Sequence, residues 1–353
     1  VILDAFEALE GAIDVRAVAL RDGPLADRCA RLAPPFIPAA PAYGRLDRLR
    51  GWPQSVRARK EARSLARWQP DLIYVNSVAA LRVVSRIGLP SAPVLLHVHE
   101  LDVVTARLLQ GVDPELLTCW PDRYIAVSEP VARLLADRYG VDRDRISLIH
   151  EFVPDGLLDG YRYSAPRSDG APLVVGGAGT PEWRKGTVLW LQMAVELVRL
   201  LGREQVRFRW VGLREDAESL YFAHMVRKLG LAEQVDLIPV TPDPFPHYVD
   251  FDVFAMTSWE DPCPIVVLEN MALGTPVACY AGSGGAPEVV GDTGFVASGF
   301  SPQAMACGIA ELACDTDRLH ARGKAARERV RAYFTASVQA PRILTVMQQT
   351  TDH

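Results

Sequence analysis

Ser258-Trp-Glu-Asp-Pro-Cys-Pro-Ile-Val-Val-Leu-Glu-Asn-Met-Ala-Leu-Gly-Thr-Pro-Val277 is the stretch that decides how this chain is read. It opens at the end of an apolar strand predicted over 253–257 and passes a tight loop with two prolines. It then enters a helix predicted over 265–273 and returns through Gly-Thr-Pro to a strand predicted over 276–279. Strand, loop, helix, turn and strand in that order make one unit of a parallel α/β sheet. Such a loop brings carboxylates and backbone amides to a helix N-terminus, where polar ligand groups bind. Asp261 lies in the loop and Glu269 about one turn into the helix. Two carboxylates so spaced accept hydrogen bonds from two different hydroxyl sets, such as a sugar and a ribose.

Outward from this stretch the same alternation continues. Strands are predicted over 173–177, 207–212 and 235–240, with helices over 186–201 and 218–229. A second series precedes it, with strands over 15–20, 72–76, 94–99, 123–128 and 146–150. A helix over 129–139 is expected to start on Ser128 as N-cap with Pro130 in its first turn, and to stop at Gly140. A loop rich in Tyr, Ser, Pro and Gly over 154–172 parts the two series. The chain of 353 residues exceeds what one hydrophobic core serves. The expected architecture is therefore two Rossmann-like domains, 1–165 and 166–335, facing each other across a cleft at the strands' carboxyl ends. A last helix, 336–353, is expected to pack back on the first domain. Ile2, Phe6 and Leu9 have helical spacing, so the first strand of that domain is expected to precede Val1.

Composition narrows the function classes. With 49% hydrophobic and 23% charged residues the chain is an ordinary globular one, which excludes disorder, collagen and coiled coil. A net charge of -5 speaks against a nucleic-acid binder. The six cysteines show no CxxC pair, and no apolar run suffices for a membrane span, so a cytoplasmic protein with reduced cysteines is expected.

Four further motifs are candidates for chemistry. Gly176-Gly-Ala-Gly-Thr-Pro-Glu-Trp-Arg-Lys-Gly186 follows a strand and opens a helix; its glycines admit a phosphate near the backbone, with Arg184 and Lys185 adding charge. An Arg-Lys pair is equally common on a solvated surface. His97-Val-His-Glu100 ends a strand whose alternation puts both imidazoles on one side; a His merely capping the strand is the structural alternative. Gly282-Ser-Gly-Gly-Ala-Pro-Glu288 is a glycine-rich turn after a strand. Tyr43 to Trp68 holds eight basic residues with Trp52 and Trp68, the pattern of a segment that rests on an anionic membrane, and also of a solvated helix face. Asp250-Phe-Asp252 matches a metal-binding spacing only formally and is assigned to structure.

Together these motifs resemble the retaining family 4 glycosyltransferases, from about residue 90 to 300. Asp261 and Glu269 stand in the two acidic places of the Glu-x7-Glu signature, with Glu260 an alternative for the first. The chain departs from the family at Asp261-Pro-Cys-Pro264, where many members have Glu-Gly-Phe-Gly, and lacks an Arg in the turn before Arg184. The resemblance implies a GT-B enzyme whose co-substrate is a nucleotide diphosphate sugar, bound by the C-terminal half, with a glycan or lipid-linked acceptor. Under it Glu269 holds the ribose, Arg184 and Lys185 with the Gly179 turn hold the diphosphate, and Cys263, Pro264 and Ile265 line the donor sugar. Asp261 and His99 contact that sugar as the catalytic pair. It further implies retained configuration, no cofactor and no metal, since preorganised cations stabilise the departing diphosphate. A non-catalytic sugar-nucleotide binder and a GT-B epimerase or phosphorylase are the rival readings.

Overall fold

The computed structural model describes residues 2–17, 28, 67–82, 84, 91–160 and 170–352. It divides into two compact units, Val1–His150 with Ala336–His353, and Glu151–Thr335. Residues 43–66 of the basic segment 43–68, residues 18–20 of the strand expected over 15–20, and Cys29 lie outside the described residues.

The first unit is built on four parallel strands in the order β1 (Ile73–Asn76), β2 (Val94–Val98), β3 (Arg123–Ala126) and β4 (Ile146–Leu148). Every residue of β2 is buried, as befits an inner strand of a parallel sheet covered on both faces. Helix α1 (Ile2–Ala8) lies against the C-terminal helix Ala336–Thr351, which also packs on β2 and β3. Phe6 of α1 meets Tyr74 of β1 edge-to-face. Two short helices follow, α2 (Asp102–Leu108) and α3 (Glu115–Thr118). No strand is assigned over Val15–Ala17.

Two local expectations are corrected here. The helix expected over 129–139 is α-helical only as α4 (Glu129–Arg133) and continues as a π turn over Leu134–Arg138 before Gly140, at φ 68, ends it. Ser128 occupies the N-cap position, but its hydroxyl makes no capping bond. The residue is fully buried and Oγ has no partner among the described residues, so the hydroxyl never reaches the first-turn amides.

The second unit carries six parallel strands in the order β10-β9-β8-β5-β6-β7. These are β5 (Leu173–Ala178), β6 (Val206–Leu213), β7 (Val235–Pro239), β8 (Val253–Met256), β9 (Val277–Tyr280) and β10 (Phe295–Ala297). The helices are α5 (Gly156–Gly160), α6 (Thr187–Leu201), α7 (Ala217–Lys228), α8 (Phe245–Tyr248), α9 (Ile265–Ala272), α10 (Ala286–Val290), α11 (Pro302–Ala313) and α12 (Thr316–Tyr333). The order reverses between β5 and β8, so the loops after these two strands part in opposite directions, which is where open α/β sheets bind ligands. Caps of the expected kind start α7, α11 and α12: Asp216, Ser301 and Asp315 each accept an amide of the first turn.

The division of the chain falls at 150/151, whereas the sequence places it at 165/166. Residues 151–160 are tied to the second unit: the Val153 amide donates to the Phe334 carbonyl at 2.9 Å, and the Arg327 guanidinium holds the Leu158 carbonyl. α12 is a row of such arginines. Arg322 donates to the Asp292 and Gly294 carbonyls, and Arg329 to those of Glu288 and Val289. They satisfy carbonyls at the end of α10 and in the turn after it, which no helix bond reaches.

The core under β5 explains its glycines. Trp190 of α6 and Trp210 of β6 meet edge-to-face at 5.3 Å, and Phe222 of α7 packs on Trp210 at 5.1 Å. A Cβ on Gly177 would lie 2.6 Å from both Trp190 Nε1 and Trp210 Cε3, and one on Gly176 would overlap the Phe251 ring. These two glycines make room for aromatic rings rather than for a ligand. Gly177→Ala is accordingly expected to cost about 1–3 kcal/mol by overpacking. Denaturant unfolding that moves by less than a few tenths of that would contradict this origin of the glycine.

Candidate functional site

Loops at the reversal point of the second unit carry most of the residues singled out in the sequence. After β5, Gly179 turns the chain at φ 121, its amide bound to the Val211 carbonyl and its carbonyl to Trp210 Nε1. A single 3-10 turn, Trp183–Lys185, then ends at Gly186, which is left-handed at φ 63. A Cβ there would overlap the Thr257 carbonyl, so only glycine lets this turn lie against the segment leaving β8. The two loops are joined by the Trp259 amide donating to the Arg184 carbonyl at 2.8 Å and the Thr257 hydroxyl donating to that of Lys185 at 3.2 Å.

This contact brings Arg184, Lys185 and Asp261 together. Lys185 Nζ lies 2.7 Å and Arg184 Nη1 3.3 Å from the same oxygen, Asp261 Oδ2, which the Ser258 hydroxyl also approaches at 3.4 Å. Arg184 further donates to the Glu260 carbonyl and pairs with Glu182. Asp261 is buried, and its backbone is fixed from the far side: its amide donates to the Ser283 carbonyl at 2.7 Å, and its carbonyl accepts from the Gly285 amide at 3.0 Å. The glycine turn 282–288 is thus fastened to the acidic loop. Gly179 belongs to the same cluster, since a Cβ on it would lie 3.0 Å from Lys185 Cε.

Around this centre the remaining loop residues divide. Cys263 and Pro264 are buried, while Ile265 is exposed at the start of α9. Burial pushes the Cys263 thiol well above its ordinary range, reinforced by the charge of Glu151 and then of Asp261 and Glu288. Pro264 stands at the N-cap of α9 without a capping side chain. Glu269, in the middle of α9, is half-buried and has no hydrogen-bond or ion-pair partner among the described residues. Burial raises its carboxyl to about 7, and its charge in turn adds to the upward shift of the buried Tyr248 phenol. Asp250 and Asp252 are structural: Asp250 pairs with Arg209 at 2.7 Å, and Asp252 accepts the Val174 amide at 2.8 Å.

His99 lies in the first unit, beyond the end of β2. Its Nε2–H donates to Asn76 Oδ1 at 2.8 Å, and its ring lies 4.1 Å from that of His97, on the side that strand alternation requires. His97 is buried, with Nδ1 2.5 Å from the Tyr74 hydroxyl. Burial, and then the charge of His99, hold its imidazole well below the usual range. Glu100 turns back to accept from the Ser77 hydroxyl and from the amides of Val78 and His99. Trp68, proposed from sequence as interfacial, is half-buried under the Arg16 guanidinium, 4.8 Å from its ring centre. Sequence reasoning did not find Ser258, Tyr248, Asn76 or Tyr74. Ser258 opens the deciding stretch but acts through Asp261 three residues on, whereas Asn76 and Tyr74 enter through contacts of β1 with the end of β2.

The D-inositol 3-phosphate glycosyltransferase of Nocardia farcinica is 29% identical over 260 residues, 65% of this chain. The match spans 56% of the relative, so the chain covers about half the length of that protein. A GDP-mannose-dependent alpha-(1-6)-phosphatidylinositol monomannoside mannosyltransferase of Mycobacterium tuberculosis is 38% identical over 133 residues, 32% of this chain and 33% of its own. Among solved structures, Anabaena HepE in complex with UDP and glucose matches 99% of this chain and 94% of its own, with a TM-score of 0.76 and 20% identity. At that identity the likeness establishes the fold alone. Residues 1–156 match the model of Glycosyltransferase Family 4 and residues 172–315 that of Glycosyl transferases group 1, one for each series of strands. With its two parallel-sheet α/β units, the chain belongs to the family 4 glycosyltransferases of GT-B fold.

Proposed function

We propose that this protein transfers a sugar from a nucleotide diphosphate donor to a hydroxyl of a glycan or lipid-linked acceptor, retaining the anomeric configuration and using no metal. One observation carries the reading: Arg184, Lys185 and Asp261 converge where the strand order of the second unit reverses. Breaking a glycosyl–phosphate bond builds negative charge on the departing diphosphate, and fixed cations stabilise that charge as it develops. Arg184 and Lys185 are such cations, held by backbone contacts to the neighbouring loop rather than by long free side chains. Glu269 supplies the complementary half. A carboxylate with no partner among the described residues, in surroundings dry enough to raise it to about 7, is set to accept ligand hydroxyls, here those of the ribose.

The family resemblance supports retention and gives Asp261 and His99 the part of attending the donor sugar. Anabaena HepE has been solved in complex with UDP-glucose, and a mutant of S. aureus TarM with Fondaparinux, alpha-GlcNAc-glycerol and UDP, which supports a sugar nucleotide and a glycan acceptor. No helix among the described residues is long and apolar enough to cross a membrane. Contact with an anionic membrane face through the basic segment 43–68 belongs to the same reading, and co-sedimentation with phosphatidylglycerol vesicles tests it.

Three outcomes are expected. Sugar transfer, or slow donor hydrolysis without acceptor, persists in excess EDTA; loss on chelation that manganese restores would end the metal-free assignment. Glu269→Gln weakens nucleoside diphosphate binding by about 1.5–3 kcal/mol, because a charged acceptor is lost; unchanged affinity by calorimetry removes Glu269 from the ribose site. The raised carboxyl also fixes a sign. Hydroxyl donors favour the ionised form, so binding lowers this pKa from about 7 and releases a proton, and affinity rises with pH across that value. Calorimetry in two buffers of different ionisation enthalpy reads the released proton, which should vanish in Glu269→Gln.

A further inference from the structure

The two oxygens of Asp261 are used unequally. Oδ2 takes Lys185 Nζ at 2.7 Å, Arg184 Nη1 at 3.3 Å and the Ser258 hydroxyl at 3.4 Å, whereas Oδ1 has no partner among the described residues. The side chain is buried, and the loop that carries it is pinned by backbone bonds to Ser283 and Gly285 that do not involve the carboxylate. The carboxylate is therefore held against the very cations that the proposed function gives to the diphosphate. Arg184 and Lys185 are themselves mostly covered, so an anion beside them is strongly felt.

We propose that Asp261 is a resident counter-anion for Arg184 and Lys185, which sets the preference of the site for a nucleotide sugar over a bare nucleoside diphosphate. The inference rests on the donor-site reading above and deepens it. A diphosphate entering the site competes with Oδ2 for the same N–H donors and meets the negative charge of the carboxylate. A bare diphosphate pays that opposition without return. A nucleotide sugar regains it, because the displaced carboxylate, with Oδ1 already open, accepts hydroxyls of the sugar. Departure of the spent nucleoside diphosphate is helped by the same means: Oδ2 closes again on Lys185 as the phosphate leaves. No bond in the protein is made or broken in this exchange; the two anions trade places on two cations.

The test is calorimetric titration with inorganic pyrophosphate, which has the phosphates and neither base nor sugar. Asp261→Asn is expected to bind it about tenfold more tightly than the wild type at low ionic strength, with the gain shrinking as salt is added. The same variant should lose sugar transfer. A residue that only positioned the two cations would give the opposite sign, weaker pyrophosphate binding on removal. Equal or weaker binding by a folded Asp261→Asn therefore overturns the proposal. Asp261→Ser serves if the asparagine variant does not fold, since the loop's backbone bonds are independent of the side chain. The double variant Arg184→Ala/Lys185→Ala separates this failure from that of the underlying reading. If it binds pyrophosphate as the wild type does, the diphosphate site itself is misplaced; if it loses binding while Asp261→Asn stays unchanged, only the role of Asp261 falls.

Discussion

Three loops of the second unit meet at Asp261, and the arrangement of everything near the site follows from how they are held there. The loop after β5 brings Lys185 and Arg184, the loop after β8 brings the carboxylate, and the turn after β9 grips its backbone through Ser283 and Gly285. Because all strands of the sheet are parallel, these loops necessarily leave from one edge, and the reversal between β5 and β8 separates the first two at their base. What brings them together again is backbone contact, at Gly186 against Thr257 and at Trp259 against Arg184. A side chain at position 186 would push the cations away from the acid without touching either. The aromatic core beneath adds the second requirement, since Gly176 and Gly177 let β5 run close over Phe251, Trp190 and Trp210.

Stability alone does not account for these residues. An ion pair taken out of water loses hydration that its mutual attraction only partly restores, and apolar packing would serve the fold as well or better. Glu269 is worse placed still: a carboxyl on the middle turn of a helix, half-buried, without a donor among the described residues. Ser283 adds a fully buried hydroxyl, likewise with no partner among them, beside the Asp261 backbone contact. Buried polar atoms without a partner among the described residues occur in the core below as well, at Trp190 Nε1 and the Tyr280 hydroxyl, so it is the charged members at the sheet edge, Asp261 and Glu269, that set a binding site apart.

Much of the second unit could be read directly from its sequence. β8 and β9 are short, wholly buried apolar runs, and α9 between them has a turn signal at each end, so their bounds came out within a residue or so. The side that His97 and His99 share followed from strand alternation alone. Where sequence reasoning erred, a distant partner had decided the matter. The glycines of 176–177 have the composition of a phosphate turn, yet rings contributed by residues as far off as Phe251 explain them. Ser128 has the type and position of an N-cap, but burial withdraws its hydroxyl. The ion pair of Lys185 with Asp261 spans 76 residues, and no spacing rule predicts a bond of that kind. Residues 151–160 look like the tail of the first series and are claimed by Phe334 and Arg327, far along the chain.

The charges of the site differ in kind, and that difference bears on how a donor is accepted. On the proposed reading Arg184 and Lys185 make the phosphate side, fixed in place by the backbone contacts of their turn. Glu269, raised to about 7 by burial, is on the same reading the part that adapts: it would ionise as ribose hydroxyls donate to it. Were it permanently ionised, its charge would oppose the incoming diphosphate throughout the approach. Asp261 is placed differently, its carboxylate paired with Arg184 and Lys185, the cations that the proposed reading gives to the diphosphate. On the proposed reading one carboxyl would thus be kept from repelling phosphate by its proton and the other by its ion pair. Each would then yield its oxygens to hydroxyl groups only as the ligand settles, which puts recognition of the sugar and ribose after the meeting of diphosphate and cations.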